Sequence, residues 1–201
     1  MADPSPRLIV GISGASGVIY GVRLLQALKA LPEGQRVESH LVMTRTAEVT
    51  LAHETRTKVS DVRRLADVAY PIDDLAAAIS SGSFRTMGMI VVPCSMRSLG
   101  EIAHGITSNL LTRAADVVLK ERRRLVLVTR ETPLHAIHLR NMATLAEMGV
   151  VIAPPVPAFY NRPKTLDDII DHTVGRVLDL FDIDTGMVKR WGRPRPRSRG
   201  R

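Results

Sequence analysis

Leu8 to Ile12 is an apolar run with one glycine. It breaks into Ser13-Gly-Ala-Ser-Gly17, and apolar residues return at Val22, Leu24, Leu25 and Leu28. The pattern predicts a strand, a tight turn and a helix. Val37 to Met43 reads as a second strand, and Thr44 is placed to cap a helix running to about Glu54. A short helix over Val59–Leu65, a short strand over Val68–Tyr70, a helical turn over Asp73–Ala78 and a loop over Ser80–Arg85 follow. Met89–Cys94 reads as the clearest buried strand, and Ser95 opens the next helix. Asn109–Arg122 is amphipathic, with Leu110, Leu111, Ala114, Val117 and Val118 on one side. Leu125–Val128, a helix over Ala136–Met148 and a strand over Val150–Ala153 come next. Pro154–Tyr160 is a stiff extended loop, and Thr165 caps a last helix running to about Leu180.

Strands alternate with helices, and the strands are apolar throughout. The expected fold class is α/β: a doubly wound, mostly parallel sheet with helices on both faces. Ligands of such sheets sit beyond the carboxyl ends of the strands. The segments there are Ser13–Gly17, Thr44–Arg45, Pro93–Arg97, Thr129–Glu131 and Pro155–Tyr160. Gly11, Gly14 and Gly17 allow a sharp turn and close approach to a ligand, and the following helix N-terminus offers unpaired N–H groups to a phosphate. The same residues also serve simply to turn a strand into a helix.

Composition narrows the class. The chain has 201 residues, of which 45% are hydrophobic, enough for one sizeable core. Aromatics are 3%, so that core is aliphatic. The net charge of +8 is mostly a property of the last ten residues, whose five arginines leave +3 on the rest. The folded part is therefore not expected to bind nucleic acid on charge grounds. Residues 1–191 are expected to form a single domain, and 192–201 a basic, disordered tail. Cys94 is the only cysteine, which excludes an intramolecular disulfide and fits a reducing compartment. The first seven residues are polar and lack the apolar stretch of a signal peptide, and no apolar run approaches a membrane span. A soluble, cytoplasmic protein is expected.

The strand-end segments are rich in groups that donate to phosphate: Ser16, Thr44, Ser95, Arg97 and Arg130. Arg113 and Lys120 lie two helical turns apart, hence on one face. The glycine spacing is not that of dinucleotide folds, and Met43-Thr44-Arg45 stands where a ribose-binding acid belongs. A mononucleotide such as FMN suits the turn better. His135 and His138 lack supporting metal ligands. Cys94 ends a buried strand, where a small packed residue is expected rather than a nucleophile. Trp191 suits an anchor for a C-terminal arm.

Several long motifs, in order, resemble the UbiX-type flavin prenyltransferases. They are Gly11-Ile-Ser-Gly-Ala-Ser-Gly17, Ser80-Ser-Gly-Ser-Phe84, Val92-Pro-Cys-Ser-Met-Arg97 and Arg113-Ala-Ala-Asp-Val-Val-Leu-Lys-Glu121. Leu125-Val-Leu-Val-Thr-Arg-Glu-Thr-Pro-Leu134, Pro154-Pro-Val-Pro-Ala-Phe-Tyr160, Arg176-Val-Leu-Asp179 and Arg190-Trp191 continue them. The resemblance implies a Rossmann/flavodoxin-like homododecamer that needs no metal. It implies transfer of a dimethylallyl group from dimethylallyl monophosphate to N5 and C6 of reduced FMN. The product, prenylated FMN, serves UbiD-type decarboxylases, including those of ubiquinone synthesis.

Carried over by motif, FMN is expected against Gly14, Ala15, Ser16, Thr44, Cys94, Ser95, Met96, Arg97 and Arg130. The family often has Ser where Thr44 stands and Lys where Arg45 stands, which keeps the hydroxyl and the charge. The prenyl phosphate is expected at Lys120, Arg130, Tyr160 and Arg176, with Arg113 and Glu131 acting from neighbouring protomers. Ser16 and Glu54 match the family's acid/base residues, Tyr160 and Lys120 join them in the chemistry, and Trp191 matches an aromatic near the prenyl pocket. Two other readings share the fold: an FMN-dependent cysteine decarboxylase and a non-catalytic FMN carrier.

Overall fold

Alternate strand residues face two different helix layers, and this fixes the architecture. The computed structural model describes residues 6–192; the expected disordered tail beyond Gly192 and the first five residues lie outside them. The strands are β1 (Arg7–Ile12), β2 (Glu38–Met43), β3 (Val68–Tyr70), β4 (Gly88–Cys94), β5 (Arg124–Thr129) and β6 (Val151–Ile152). The helices are α1 (Val18–Lys29), α2 (Arg45–Glu54), α3 (Val59–Leu65), α4 (Met96–Ala103), α5 (Leu110–Lys120), α6 (Ala136–Glu147) and α7 (Leu166–Asp179). All strand pairs are parallel, in the order β3-β2-β1-β4-β5-β6. Without the three-residue edge strand β3 this becomes the flavodoxin order; with it, the order of dinucleotide folds. The chain leaves the sheet in opposite directions after β1 and β4, so the switch point lies between them.

Leu8, Val10 and Ile12 of β1 pack with Val22 and Leu25 of α1, Leu51 of α2, Val62 of α3 and Leu178 of α7. Ile9, Met89 and Val91 pack on the other face with Leu99 of α4, Leu111 and Val118 of α5 and Leu145 of α6. Strict alternation fails once. Between Val91 and Cys94, β4 uses three steps where β5, from Leu127 to Thr129, uses two. This extra residue is a bulge, and it accommodates Pro93 in a central strand. It also returns Cys94 to the layer that Val91 faces.

Three predicted elements differ. Helix α5 stops at Lys120 rather than Arg122, because Arg122 adopts a left-handed conformation (φ 54°). The N–H groups of Arg122 and Arg123 fold back on Leu119 and Val118, so the chain can turn into β5. Residues 73–78 form turns, and a single 3₁₀ turn lies later, at Ala78–Ser80. There the Asp74 carboxylate accepts from the Ala76 N–H, competing with a helical bond. At the far edge, β6 holds two residues instead of four.

Leu111 is fully buried between α5 and β1. Replacing it by Ala should cost about 2–5 kcal/mol. The check is urea unfolding followed by circular dichroism; an unchanged midpoint would mean that this contact does not anchor α5.

Candidate active site

The carboxyl ends of β1 and β4 are tied together by one serine. Ser13 is fully buried. Its N–H and its hydroxyl both donate to the Pro93 carbonyl, at 3.2 and 2.9 Å, and the hydroxyl accepts from the Ser95 N–H at 2.7 Å. The Gly14–Gly17 turn and the Cys94–Arg97 turn are thereby held in register. Arg130, just past β5, joins them through its N–H to the Cys94 carbonyl. Gly14, Ala15, Ser16, Thr44, Cys94, Ser95, Met96, Arg97 and Arg130 thus lie along the same sheet end, as the motifs imply. Ser13, which has the largest share in this arrangement, was not among the expected site residues. Its hydroxyl beside two glycine-rich steps is the only local signal.

Two of the glycines have duties other than ligand approach. Gly11 lies within β1, where an added Cβ would meet Met89 and Leu111; at Gly14 it would run into Thr46. The N-terminus of α1 also differs from expectation. Its first N–H groups, those of Gly17 and Val18, are taken by the Glu54 carboxylate at 2.9 and 3.2 Å. A phosphate there would have to displace the Glu54 carboxylate from these N–H groups. Glu54, at the end of α2, is held against the turn by the N–H groups of Gly17 and Val18, which follow Ser16.

Other helix N-termini converge one step away. A cavity of about 260 Å³ lies where Thr44, Ser95 and Asn109 cap α2, α4 and α5. Each cap side chain accepts from its own helix: Thr44 from Ala47 N–H, Ser95 from Ser98 N–H and Asn109 from Thr112 N–H. Three helix N-termini therefore point at one space, and their partial positive charges add. Arg45 and Arg97 line it together with the carboxylates they pair with, Asp73 at 2.6 Å and Glu101 at 2.8 Å. Thr46 also lines it, and Thr50 donates to the Gly14 carbonyl, which ties α2 to the glycine turn.

A second cavity, of about 350 Å³, runs along α7 and is lined by Tyr160, His172 and Arg176 among apolar residues. The Tyr160 ring is set edge-on to His172 and to Trp191, with centroids 5.6 and 5.5 Å away. Asp179 holds Arg176 at 2.7 Å and both terminal nitrogens of Arg190 at 2.9 and 3.0 Å. Arg190 therefore fixes the segment that carries Trp191. Helix α7 begins cleanly because Thr165 and Asp168 form a reciprocal capping box.

Lys120 lies elsewhere. It ends α5 beside Gly82 and pairs with Glu121 at 2.5 Å. Strand β5 runs between it and Arg130, and six strand residues span about 20 Å. Arg113 pairs with Asp116 at 2.7 Å in the first turns of α5, and Glu131 accepts from the Thr132 N–H. The residues expected to hold one prenyl phosphate thus occupy separate parts of a single chain.

A family model described as Flavoprotein matches residues 1–182. The flavin prenyltransferase UbiX of Escherichia coli (strain K12) is 60% identical over 187 residues, covering 92% of this chain and 97% of that protein. The structure of AnUbiX (PadA1) in complex with FMN and dimethylallyl pyrophosphate is 52% identical, with a TM-score of 0.91 over 95% of this chain and all of that one. A dodecameric FMN-dependent Ubix-like decarboxylase from Escherichia coli O157:H7 is 55% identical, with a TM-score of 0.89 over 92% of this chain and 98% of that one. The chain is a UbiX-type flavin prenyltransferase of the flavoprotein family. Peptidyl-cysteine decarboxylase EpiD, at 19% identity and a TM-score of 0.62, shares the fold alone.

For a flavin prenyltransferase, the environment of Cys94 is informative. The thiol is fully buried, and burial pushes its pKa up to about 12. At neutral pH it is a packed thiol and no nucleophile. His135 caps α6, accepting from Ile137 and His138 N–H groups, and its ring stacks on that of His138. Among the described residues no group of three His, Cys, Asp or Glu side chains could hold a metal. Cys94 should ignore a disulfide-exchange dye at pH 8 and react fully in denaturant. Absorbance of the released thiolate checks this; rapid labelling of the folded protein would contradict the burial.

Proposed function

We propose that this flavin prenyltransferase binds reduced FMN with its phosphate in the cavity capped by Thr44, Ser95 and Asn109. That cavity is the observation that carries the reading. It offers hydroxyls, helix N-termini and arginines for a phosphate, and it adjoins the Gly14–Ser16 turn where the flavin ring is placed. Residues 1–191 act as one FMN-binding domain. The donor is a dimethylallyl phosphate, and the product serves a UbiD-type decarboxylase.

Reduced FMN would supply two nucleophilic atoms. The N5 bond forms at the allylic carbon as its C–O bond breaks and phosphate leaves. The C6 bond forms at the far alkene carbon as the C=C is consumed and its inner carbon takes up a proton, N5 and C6 each losing one. The protein must neutralise that phosphate without a metal. Arg130, Arg176, Lys120 and the Tyr160 phenol are assigned to it. Because Lys120 and Arg130 are a strand length apart, the complete set requires more than one protomer, with Arg113 and Glu131 supporting it from neighbours. Trp191 and Tyr160 wall the prenyl group and exclude water, which a developing allyl cation requires. Bond formation releases protons, and Glu54, held by the Gly17 N–H that follows Ser16, is positioned to receive them.

A cysteine decarboxylase reading lacks support, since Pro93-Cys-Ser-Met-Arg97 stands where that group carries an Asn-containing segment. A carrier leaves Glu54, Lys120, Tyr160 and Arg176 unexplained. We place the enzyme in the cytoplasm; its one cysteine is unpaired, and no described helix is long and apolar enough to cross a membrane.

Anaerobic incubation with reduced FMN and dimethylallyl monophosphate or diphosphate should yield a flavin heavier by one C5 unit in mass spectrometry. Extraction of unmodified FMN alone from a folded, FMN-loaded preparation would reject the reading. Glu54→Gln should suppress product by about 10²-fold or more while FMN is retained; equal turnover would remove Glu54 from the chemistry. Lys120→Ala and Arg130→Ala proteins should each be inactive. Co-assembled from mixed unfolded chains, they should regain part of the activity, because some sites then draw both side chains from intact copies. No recovery in a mixed oligomer would place both residues in one protomer's site.

A further inference from the structure

We propose that His172 is a positioning residue for Tyr160, donating a hydrogen bond to the phenol oxygen so that the phenolic proton points into the cavity along α7. The proposal rests on the assignment of Tyr160 to the prenyl phosphate and adds the group that sets its donor direction.

Tyr160 Oη lies 3.3 Å from His172 Nε2. The two rings are nearly perpendicular, at 80°. Tyr160 is 44% exposed and opens to the cavity, whereas His172 is only 7% exposed behind it. Burial first, and then the Arg176 guanidinium, lowers the imidazole pKa, with Lys189 adding to this and Asp179 opposing it. A neutral ring carries one N–H, and two tautomers compete. Among the described residues, none gives His172 Nδ1, which is buried, a hydrogen-bond partner. A proton there would leave an orphaned N–H in the interior and make Nε2 an acceptor, drawing the phenolic proton away from the cavity. A proton on Nε2 leaves only a bare lone pair at Nδ1, the less costly of the two omissions. Nε2–H then donates to Tyr160 Oη, and the phenolic O–H is free to turn toward an anion beside Arg176. Trp191 contacts the Tyr160 ring edge-on from another side.

The FMN-loaded full-length oligomer serves for the test, with four variants: His172→Leu, His172→Gln, Tyr160→Phe and the His172→Leu/Tyr160→Phe double. Two quantities are measured: calorimetric affinity for inorganic phosphate, and KM and kcat for dimethylallyl monophosphate. Loss of one hydrogen bond's alignment should weaken phosphate affinity in His172→Leu about fivefold and raise KM similarly, with FMN retention unchanged. Gln, whose amide N–H reaches the same place, should restore affinity to within about twofold of the parent. In the Tyr160→Phe background the Leu substitution should add nothing. An equal loss in that background would overturn the proposal, as would a Gln variant as weak as Leu in an intact oligomer. If the Leu variant fails to assemble, His172→Met takes its place in the same cycle. If the parent makes no prenylated flavin, the functional reading falls, while the phosphate-binding cycle still decides the coupling.

Discussion

The bulge at Pro93 is the constraint on which the site depends. A proline cannot donate to a sheet ladder, and in a central strand that defect needs a local remedy. Here β4 takes up an extra residue, and the Pro93 carbonyl is claimed twice by Ser13. The same serine then accepts from Ser95. Two turns that leave the sheet in opposite directions are thereby locked together at the switch point. The gap between them has a width set by one fully buried residue, through its N–H and its hydroxyl, rather than by mobile surface side chains. Preorganisation of this kind lets a site act on charge as it develops without first rearranging.

Around that gap, the fold gives the Glu54 carboxylate and the capped cavity separate places. Glu54 occupies the N-terminus of α1, and the caps of α2, α4 and α5 gather on the other side of the glycine turn. A carboxylate suited to collecting protons and a seat suited to a phosphate are thus neighbours without being partners. The arginines of the capped cavity are balanced by Asp73 and Glu101, so they present donors while adding little net charge. Farther off, the Asp179 carboxylate gathers Arg176 and Arg190 and so couples the C-terminal segment to α7.

What could be read from the sequence was what local physics determines. Thr44 and Thr165 announce helix starts because a cap needs only its next few residues, and both accept the expected N–H bonds. The apolar runs of β1, β4 and β5 declare strands buried on both faces. The bond from Glu54 to Gly17 spans 37 positions, and that from Ser13 to Pro93 spans 80; no periodicity encodes either. The helical spacing of Arg113 and Lys120 correctly gave one face of α5 but not which end of the sheet each would reach. Motifs supplied residue identities, whereas the chain's direction through β5 shows that Lys120 and Arg130 stand apart.

Both margins of the sheet are minimal: β3 has three residues and β6 has two. Such stubs give an incoming strand almost no ladder to extend. Growth by edge-to-edge pairing, which has no natural stopping point, is thereby discouraged. Any contact between such chains is left to helices and loops, whose shaped surfaces do not repeat as a ladder does. The shortness of two outer strands thus favours assemblies with a fixed number of members over open-ended fibres.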